Sequence, residues 1–167
     1  MIKNFLILSI SISITFSFIN ADRIDESKNI LVGDIQIQNL FTEYPLFKSR
    51  YDSYELSDQI NLSESEDISV VIIFGTWCHD SKREVPRMLR ILDAAGLTQK
   101  KISLIGVDIN KEEPNGREKF YNLKNTPTFI LLKNGKEVGR IIERPKVSLE
   151  SDLINLMTRS LEPVVED

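Results

Sequence analysis

The residue with the richest chemistry in this sequence is Cys78, the single cysteine among 167 residues. It stands in the run WCHDS at 77–81, directly after the β-branched stretch ISVVIIF at 68–74. A lone cysteine is commonly a small buried hydrophobe, but this one precedes a predicted helix. The free N–H groups and the dipole at a helix start favour a thiolate. Because the thiolate is the attacking species in disulfide exchange, the sequence predicts a nucleophile at Cys78.

Charged neighbours are expected to tune this cysteine. His79 and Lys82 add positive character near Cys78, and Asp80 opposes them. His79, the only histidine, has three readings: a surface residue without a role, a tuner of Cys78 near neutral pH, or a metal ligand. Adjacent residues rarely converge on one metal ion, so no metal site is expected.

The elements around this run follow from apolar patterning. Continuous β-branched stretches indicate strands buried on both faces. Asn134-Gly135 predicts a hairpin turn, Gly96 ends the first helix, and Ser148 caps the last. In chain order the predicted elements are strand 68–74, helix 82–95, strand 102–107, helix 117–123, strands 128–132 and 138–142, and helix 148–161. This β-α-β-α-β-β-α order predicts an α/β domain.

The order and the cysteine turn resemble the thioredoxin family. Trp77-Cys78-x-x-Ser81 stands where the family has Trp-Cys-x-x-Cys, and Pro86 falls where family members kink the following helix. The match covers roughly 68–160. The string FGTWCHDSKREVP further resembles a bacterial thioredoxin-like subgroup with Trp-Cys-x-Asp-Ser. The resemblance implies a thioredoxin fold, in which helices flank a central mixed β-sheet, here with an N-terminal helical extension.

A third feature of the resemblance is Thr126-Pro127, which precedes the predicted hairpin where the family has its cis-proline. The resemblance implies that Thr126 offers backbone groups to an extended substrate strand beside Cys78. It also implies that Trp77 forms part of an exposed apolar rim. Ordinary core packing is the alternative for Trp77.

The sequence departs from the family at the second thiol. In a two-cysteine motif that thiol releases the substrate, whereas Ser81 forms no disulfide, although its hydroxyl can donate a hydrogen bond to the thiolate. Ile72 stands where many thioredoxins keep a buried acid, and Leu104 where a lysine often partners that acid. These losses, with the resemblance, predict a monothiol protein of the thiol–disulfide oxidoreductase type. Its mixed disulfide would need an external thiol, such as glutathione or the substrate's own second cysteine.

Other functions stay open at this point. A non-catalytic thioredoxin-fold module could hold extended or misfolded polypeptides in the groove around Trp77, Thr126 and Pro127. Peroxide chemistry through a sulfenic acid at Cys78 is disfavoured, because the usual peroxidase pattern is not visible. An iron–sulfur cluster held with glutathione, as in monothiol glutaredoxins, is also disfavoured. No resident cofactor is predicted.

The beginning of the chain predicts export. Lys3 supplies a basic start, 5–19 is apolar, and Ala21 offers a small residue for cleavage, so 1–21 is predicted to be a signal peptide. An uncleaved anchor is the alternative, and it would be the chain's only membrane contact. The protein is then expected in a periplasmic or extracellular location. Its expected partners are disulfide- or thiol-containing exported proteins or small thiols.

Composition and patterning set the remaining expectations. The net charge is −4, from 21 basic and 25 acidic residues, which argues against nucleic-acid binding. The predicted organisation has a lead-in and helical extension at 22–67, a thioredoxin-like domain at 68–161 and a tail at 162–167. Within the extension, scattered aromatic and apolar residues between 34 and 62 predict short helices packed on the main body.

Overall fold

The computed structural model describes residues 30–57 and 67–161, with the side chains of the last two residues of that range left aside. The predicted signal peptide at 1–21 and the predicted tail at 162–167 lie outside the described residues. Residues 22–29 and 58–66 of the predicted lead-in and helical extension also lie outside them. No helix within the described ranges is both long and apolar enough to cross a membrane.

Five strands form one mixed sheet in the order β1-β3-β2-β4-β5. The central strand β2 (Ile68–Phe74) pairs in parallel with β3 (Ile102–Gly106) and antiparallel with β4 (Thr128–Lys133). β4 continues antiparallel to β5 (Lys136–Ile142), and β1 (Gly33–Ile35) runs antiparallel to β3 at the opposite edge. The predicted α/β class with a central mixed sheet is therefore confirmed.

Both faces of this sheet are covered, and β2 alternates its side chains between two apolar clusters, one on each face. Ile72 and Phe74 pack with residues of four helices, whereas Val71 and Ile73 pack on the opposite face with residues that follow the short helix α4. The helices are α1 (Ile37–Glu43), α2 (Pro45–Asp52), α3 (His79–Ala94), α4 (Arg117–Phe120) and α5 (Leu149–Leu161). Coverage of both faces explains why β2 reads as a continuous β-branched run.

The extension holds the helices predicted for 34–62 and one strand that the sequence did not indicate. α1 and α2 pack through the fully buried Leu40 and Phe47. β1 has only three residues, which is too short for a periodic signal. Its backbone pairs Asp34 with Ile105, so the extension adds an edge strand to the central sheet.

Several predicted boundaries were wrong. The first long helix begins at His79 rather than 82, because Lys82 N–H already donates to the Cys78 carbonyl at 2.9 Å. The helix predicted over 117–123 ends at Phe120, and Asn122 then adopts a left-handed φ of 50°. The strand predicted to start at 138 begins two residues earlier at Lys136, directly after the hairpin turn.

Other local predictions are confirmed. Asn134 and Gly135 have φ angles of 51° and 74°, the positive pair that a type I′ hairpin requires. Gly96, with φ 81°, follows the end of α3. The Ser148 hydroxyl accepts a hydrogen bond from Ser151 N–H at 3.0 Å and so caps α5. Pro86 lies inside α3 and is buried.

Candidate active site

Cys78 lies where β2 ends and α3 begins. Its N–H donates to the Gly75 carbonyl at 3.0 Å, closing a tight turn, and it then serves as the N-cap residue of α3 with φ −76° and ψ 128°. The side chain is half-buried and its thiol is free. The predicted nucleophile therefore stands at the first turn of a 16-residue helix.

The thiol is held by the loop that precedes β4. Cys78 Sγ–H donates to the carbonyl of Thr126 at 3.2 Å. The Thr126–Pro127 peptide bond is cis, and both residues are buried. The Pro127 carbonyl in turn accepts Glu143 N–H at 2.7 Å, which ties this loop to the end of β5. Predicted site residues that lie 48 positions apart in the chain thus meet at one point.

Ser81 stabilises the active-site turn through a hydrogen bond to its backbone. It is fully buried, and its Oγ accepts a hydrogen bond from Gly75 N–H at 3.3 Å. Within the described residues, the hydrogen bond anticipated between Ser81 and the sulfur of Cys78 is not seen. The hydroxyl therefore satisfies a backbone group of the active-site turn, which an apolar residue could not do.

The position of the expected acid is apolar. Ile72 is fully buried on β2 and lies directly opposite Leu104 of β3 in the parallel register. These are the two positions that the resemblance pairs as acid and lysine. Here both belong to the same apolar cluster, so these two positions offer no ionisable pair.

Trp77 has features of both interpretations, the exposed apolar rim and ordinary packing. Its side chain is half-exposed, and Nε1–H donates to the Val107 carbonyl at 3.1 Å, which fixes the indole across the end of β3. The ring also lies directly over Gly75, where an added Cβ would meet the indole at 2.5 Å. Trp77 is therefore an anchored rim residue, and Gly75 leaves the space that it occupies.

Replacing Gly75 by alanine is expected to push the indole away from Val107 and into solvent. The emission of Trp77, the only tryptophan, should move to longer wavelength, and overpacking should cost about 1–3 kcal/mol of the free energy of unfolding. Gly139→Ala is the matched control, since its Cβ would meet Leu156 at the same 2.5 Å. An unchanged emission maximum in Gly75→Ala would contradict the described packing.

Asp80 was expected to oppose the positive side chains near Cys78, but in the structure it pairs with two arginines. Its Oδ1 forms ion pairs with Arg144 Nη2 at 3.1 Å and with Arg83 Nη2 at 2.9 Å. Burial would raise the pKa of Asp80, but these two guanidinium groups outweigh burial and hold the pKa of this carboxyl below its usual value. His79 is 80% exposed, with Nδ1 3.7 Å from the same oxygen, and Lys82 is half-buried one turn later.

Arg144 is the functional neighbour that sequence reasoning missed. Arg144 lies in the run Glu143-Arg144-Pro145, which connects β5 to α5 and carries no recognisable motif. In the structure Glu143 has φ 60° and its N–H binds the Pro127 carbonyl, so the next side chain reaches the Cys78 turn. No pattern in the sequence joins positions 64 residues apart, and only the fold brings them together.

Metal binding gains no support from the described part of the chain. In residues 30–57 and 67–161, no group of three or more histidine, cysteine or carboxylate side chains is close enough to hold a metal ion.

Comparisons with known proteins place the sequence in a family. The thioredoxin family model matches residues 52–156. Over 90 residues the chain is 27% identical to Thioredoxin H9 of Arabidopsis thaliana, covering 54% of this chain and 60% of that protein. Over another 90-residue alignment it is 31% identical to the thioredoxin of Chlamydia trachomatis, covering 53% of this chain and 82% of that protein.

Among solved structures, oxidized mitochondrial thioredoxin 3 from Saccharomyces cerevisiae is 24% identical, with a TM-score of 0.40. That comparison covers 64% of this chain and 98% of the yeast chain. The chain spans less than two thirds of the length of Thioredoxin H9. Because the family model extends over more than half of the sequence, the chain belongs to the thioredoxin family.

Proposed function

We propose that this protein is an exported monothiol member of the thioredoxin family that carries out thiol–disulfide exchange through Cys78. The observation that carries the proposal is the placement of the sole cysteine at the start of α3, with a buried serine at the position of a second thiol. Family membership supports chemistry of the thiol–disulfide oxidoreductase type. The predicted signal peptide at 1–21 supports export and a periplasmic or extracellular location.

The exchange proceeds in two displacement steps. The Cys78 thiol first loses its proton to solvent, and the thiolate attacks one sulfur of a substrate disulfide. An S–S bond forms to Cys78 while the substrate's S–S bond breaks, and the other sulfur leaves as a thiolate that takes up a proton. Ser81 has no sulfur with which to attack the adduct. A second thiol, from glutathione or from the substrate itself, therefore displaces Cys78 and carries the new disulfide away.

We assign substrate contact to the groups that surround the sulfur of Cys78. When Cys78 ionises, the Thr126 carbonyl loses its thiol donor and becomes free to accept an N–H group from an extended chain. The adjacent Pro127 keeps that carbonyl beside the sulfur, and the indole of Trp77 supplies apolar contact. The proposed substrates are disulfide- or thiol-containing exported proteins or small thiols, with glutathione as a co-substrate and not as a resident cofactor.

Electrostatic tuning belongs to the same proposal. His79 and Lys82 supply positive character at the first turn of α3. Asp80 pairs with Arg144 and Arg83, so little of its negative charge faces the sulfur. The proposed thiolate then forms at a helix start, where the free backbone N–H groups favour negative charge.

The test is the rate at which oxidised glutathione modifies Cys78, followed by intact mass near neutral pH. The folded protein is expected to form a single-glutathione adduct about tenfold faster than the same protein unfolded in urea, because only the folded chain places Cys78 at a helix start. Added reduced glutathione should remove the adduct. Ser81→Ala is the control, since it changes the motif without adding or removing a thiol.

Equal rates for the folded and unfolded protein would contradict catalytic exchange. Retention of extended-peptide binding by Cys78→Ala, together with such equal rates, would instead favour a non-catalytic binding module. The proposal also expects poor reduction of insulin by the protein unless glutathione is supplied.

A further inference from the structure

A cleft rich in arginine lies between the end of α2 and the first three turns of α3. It has a volume of about 260 Å³ and is lined by Arg50, Ser53, Tyr54, Arg83 and Arg87. Three residues with guanidinium groups and two with hydroxyl groups thus line one space. None of these five described lining residues carries a carboxylate, but Glu84 pairs with Arg83 and Arg87, and the Tyr54 hydroxyl donates to Glu150 Oε1 at 2.9 Å. The donor without an acceptor is therefore to be found among the arginines.

Arg50 is the residue that points most directly to a missing partner. Its Nη1 is buried and has no hydrogen-bond acceptor among residues 30–57 and 67–161. A guanidinium group keeps its charge at any ordinary pH. A buried charged donor without an acceptor is unfavourable, so the position favours an anion that enters from solvent.

The other two arginines are only partly neutralised. Arg83 Nε and Arg87 Nη1 share the carboxylate of Glu84, with Arg87 at 3.6 Å. Arg83 also pairs with Asp80, but that carboxylate is itself shared with Arg144. The Arg87 guanidinium also lies 5.5 Å above the centre of the Tyr54 ring. Among the described residues, the three arginines share Glu84 and part of Asp80, so at least one guanidinium charge lacks a carboxylate partner.

We propose that this cleft binds the oxyanion group of a small molecule, either a carboxylate or a phosphate. Planar guanidinium groups, with the neighbouring Ser53 hydroxyl, match the oxygens of both anions by paired, charge-assisted hydrogen bonds. The site goes beyond thiol–disulfide exchange and does not depend on it. It nevertheless lies beside the reactive turn, because Arg83 also pairs with Asp80, two residues after Cys78.

The experiment is a titration of the full-length protein with inorganic phosphate and, separately, with succinate at low ionic strength. Binding is followed by the arginine side-chain N–H resonances, with chloride at equal ionic strength as the reference. Saturable binding with a Kd of about 1 mM or tighter is expected for at least one anion. The anion that binds with the lower Kd shows whether the ligand carries a phosphate or a carboxylate group.

Arg50→Gln and Arg87→Gln should each weaken binding about tenfold, since each removes a charged donor. Arg90→Gln should leave it unchanged. Arg90 is the matched control because it has the same i,i+3 ion pair, to Asp93 at 3.6 Å, and lies 5.7 Å above the ring of Tyr51. The melting temperature of each variant shows that it is folded.

Three outcomes would overturn the proposal. Two of them are the absence of saturable binding by either anion and equal affinity in Arg50→Gln and Arg90→Gln. The third concerns Asp58, Glu64 and Glu66, which lie outside the described residues. If phosphate binds only after all three are replaced by the corresponding amides, the cleft takes the chain's own carboxylates and not a small molecule.

Discussion

Replacing Ser81 by cysteine is expected to give a site that resolves its own mixed disulfide. Ser81 follows Cys78 by three residues on the first turn of α3, and residues at this spacing face each other on a helix. The hydroxyl is fully buried and accepts only the Gly75 N–H among the described contacts, a bond that a thiol can replace weakly. The introduced thiol of Ser81→Cys would therefore attack the adduct at Cys78.

Intact mass after treatment with oxidised glutathione distinguishes the two proteins. The natural protein should end as a glutathione adduct, whereas Ser81→Cys should end as an internal disulfide with the mass of the unmodified protein less two hydrogens. Ser81→Ala is the control and should keep the adduct. Resolution should be slow, because Ile72 supplies no acid to move a proton to the second thiol. Persistence of the adduct in Ser81→Cys would contradict the described geometry.

The central part of the fold could be predicted because its elements carry strong patterns. β2 is covered on both faces and thus reads as an unbroken apolar run, while α5 places Leu149 and Leu153 on one buried face. The hairpin turn at 134–135 needs two positive φ angles, and Asn-Gly is the pair that supplies them most readily. β1 has no such signal, since three residues cannot display a period and its partner is remote in sequence.

The candidate site likewise has a part that the sequence predicts and a part that only the fold reveals. Cys78, Trp77 and Ser81 are neighbours in the chain, so one local motif was enough to find them. The contact of Asp80 with Arg144 joins the start of α3 to the end of β5, and no local pattern encodes it. The cleft at Arg50 likewise needs α2 packed against α3 before its arginines can meet.

A second large effect is expected at Arg117, which holds a buried carboxylate near the β1 edge of the sheet. The side chain of Glu113 is fully buried and accepts Arg117 Nε at 3.0 Å, Nη2 at 3.1 Å and backbone N–H at 2.7 Å. Arg117 also pairs with Asp34 of β1. Replacing Arg117 by methionine leaves a buried charge unpaired, which should lower the free energy of unfolding by about 3–5 kcal/mol.

Urea unfolding near neutral pH measures this loss. The double variant Arg117→Met, Glu113→Met should cost less than the single change, because it removes the stranded charge as well. Lys48→Met is the matched control. Lys48 forms an i,i+4 pair with Asp52, but both side chains are about half-exposed, so the expected cost is about 0.5 kcal/mol or less. Equal losses at Lys48 and Arg117 would contradict the role assigned to burial.

The same pair makes stability depend on acid. The hydrogen bond from Arg117 outweighs burial and lowers the pKa of Glu113 from its ordinary 4.5 to about 2. A carboxyl with a depressed pKa in the folded protein stabilises it fully above the unfolded value of 4.5, and this contribution of about 3 kcal/mol is lost as pH falls toward 2. Glu113→Gln should therefore be less stable than the natural protein at neutral pH, and the difference should shrink steadily below pH 4.5. A difference that stayed constant down to pH 2 would show that Glu113 acts through packing alone, since only an ionised carboxylate binds Arg117 with a strength that changes over this range.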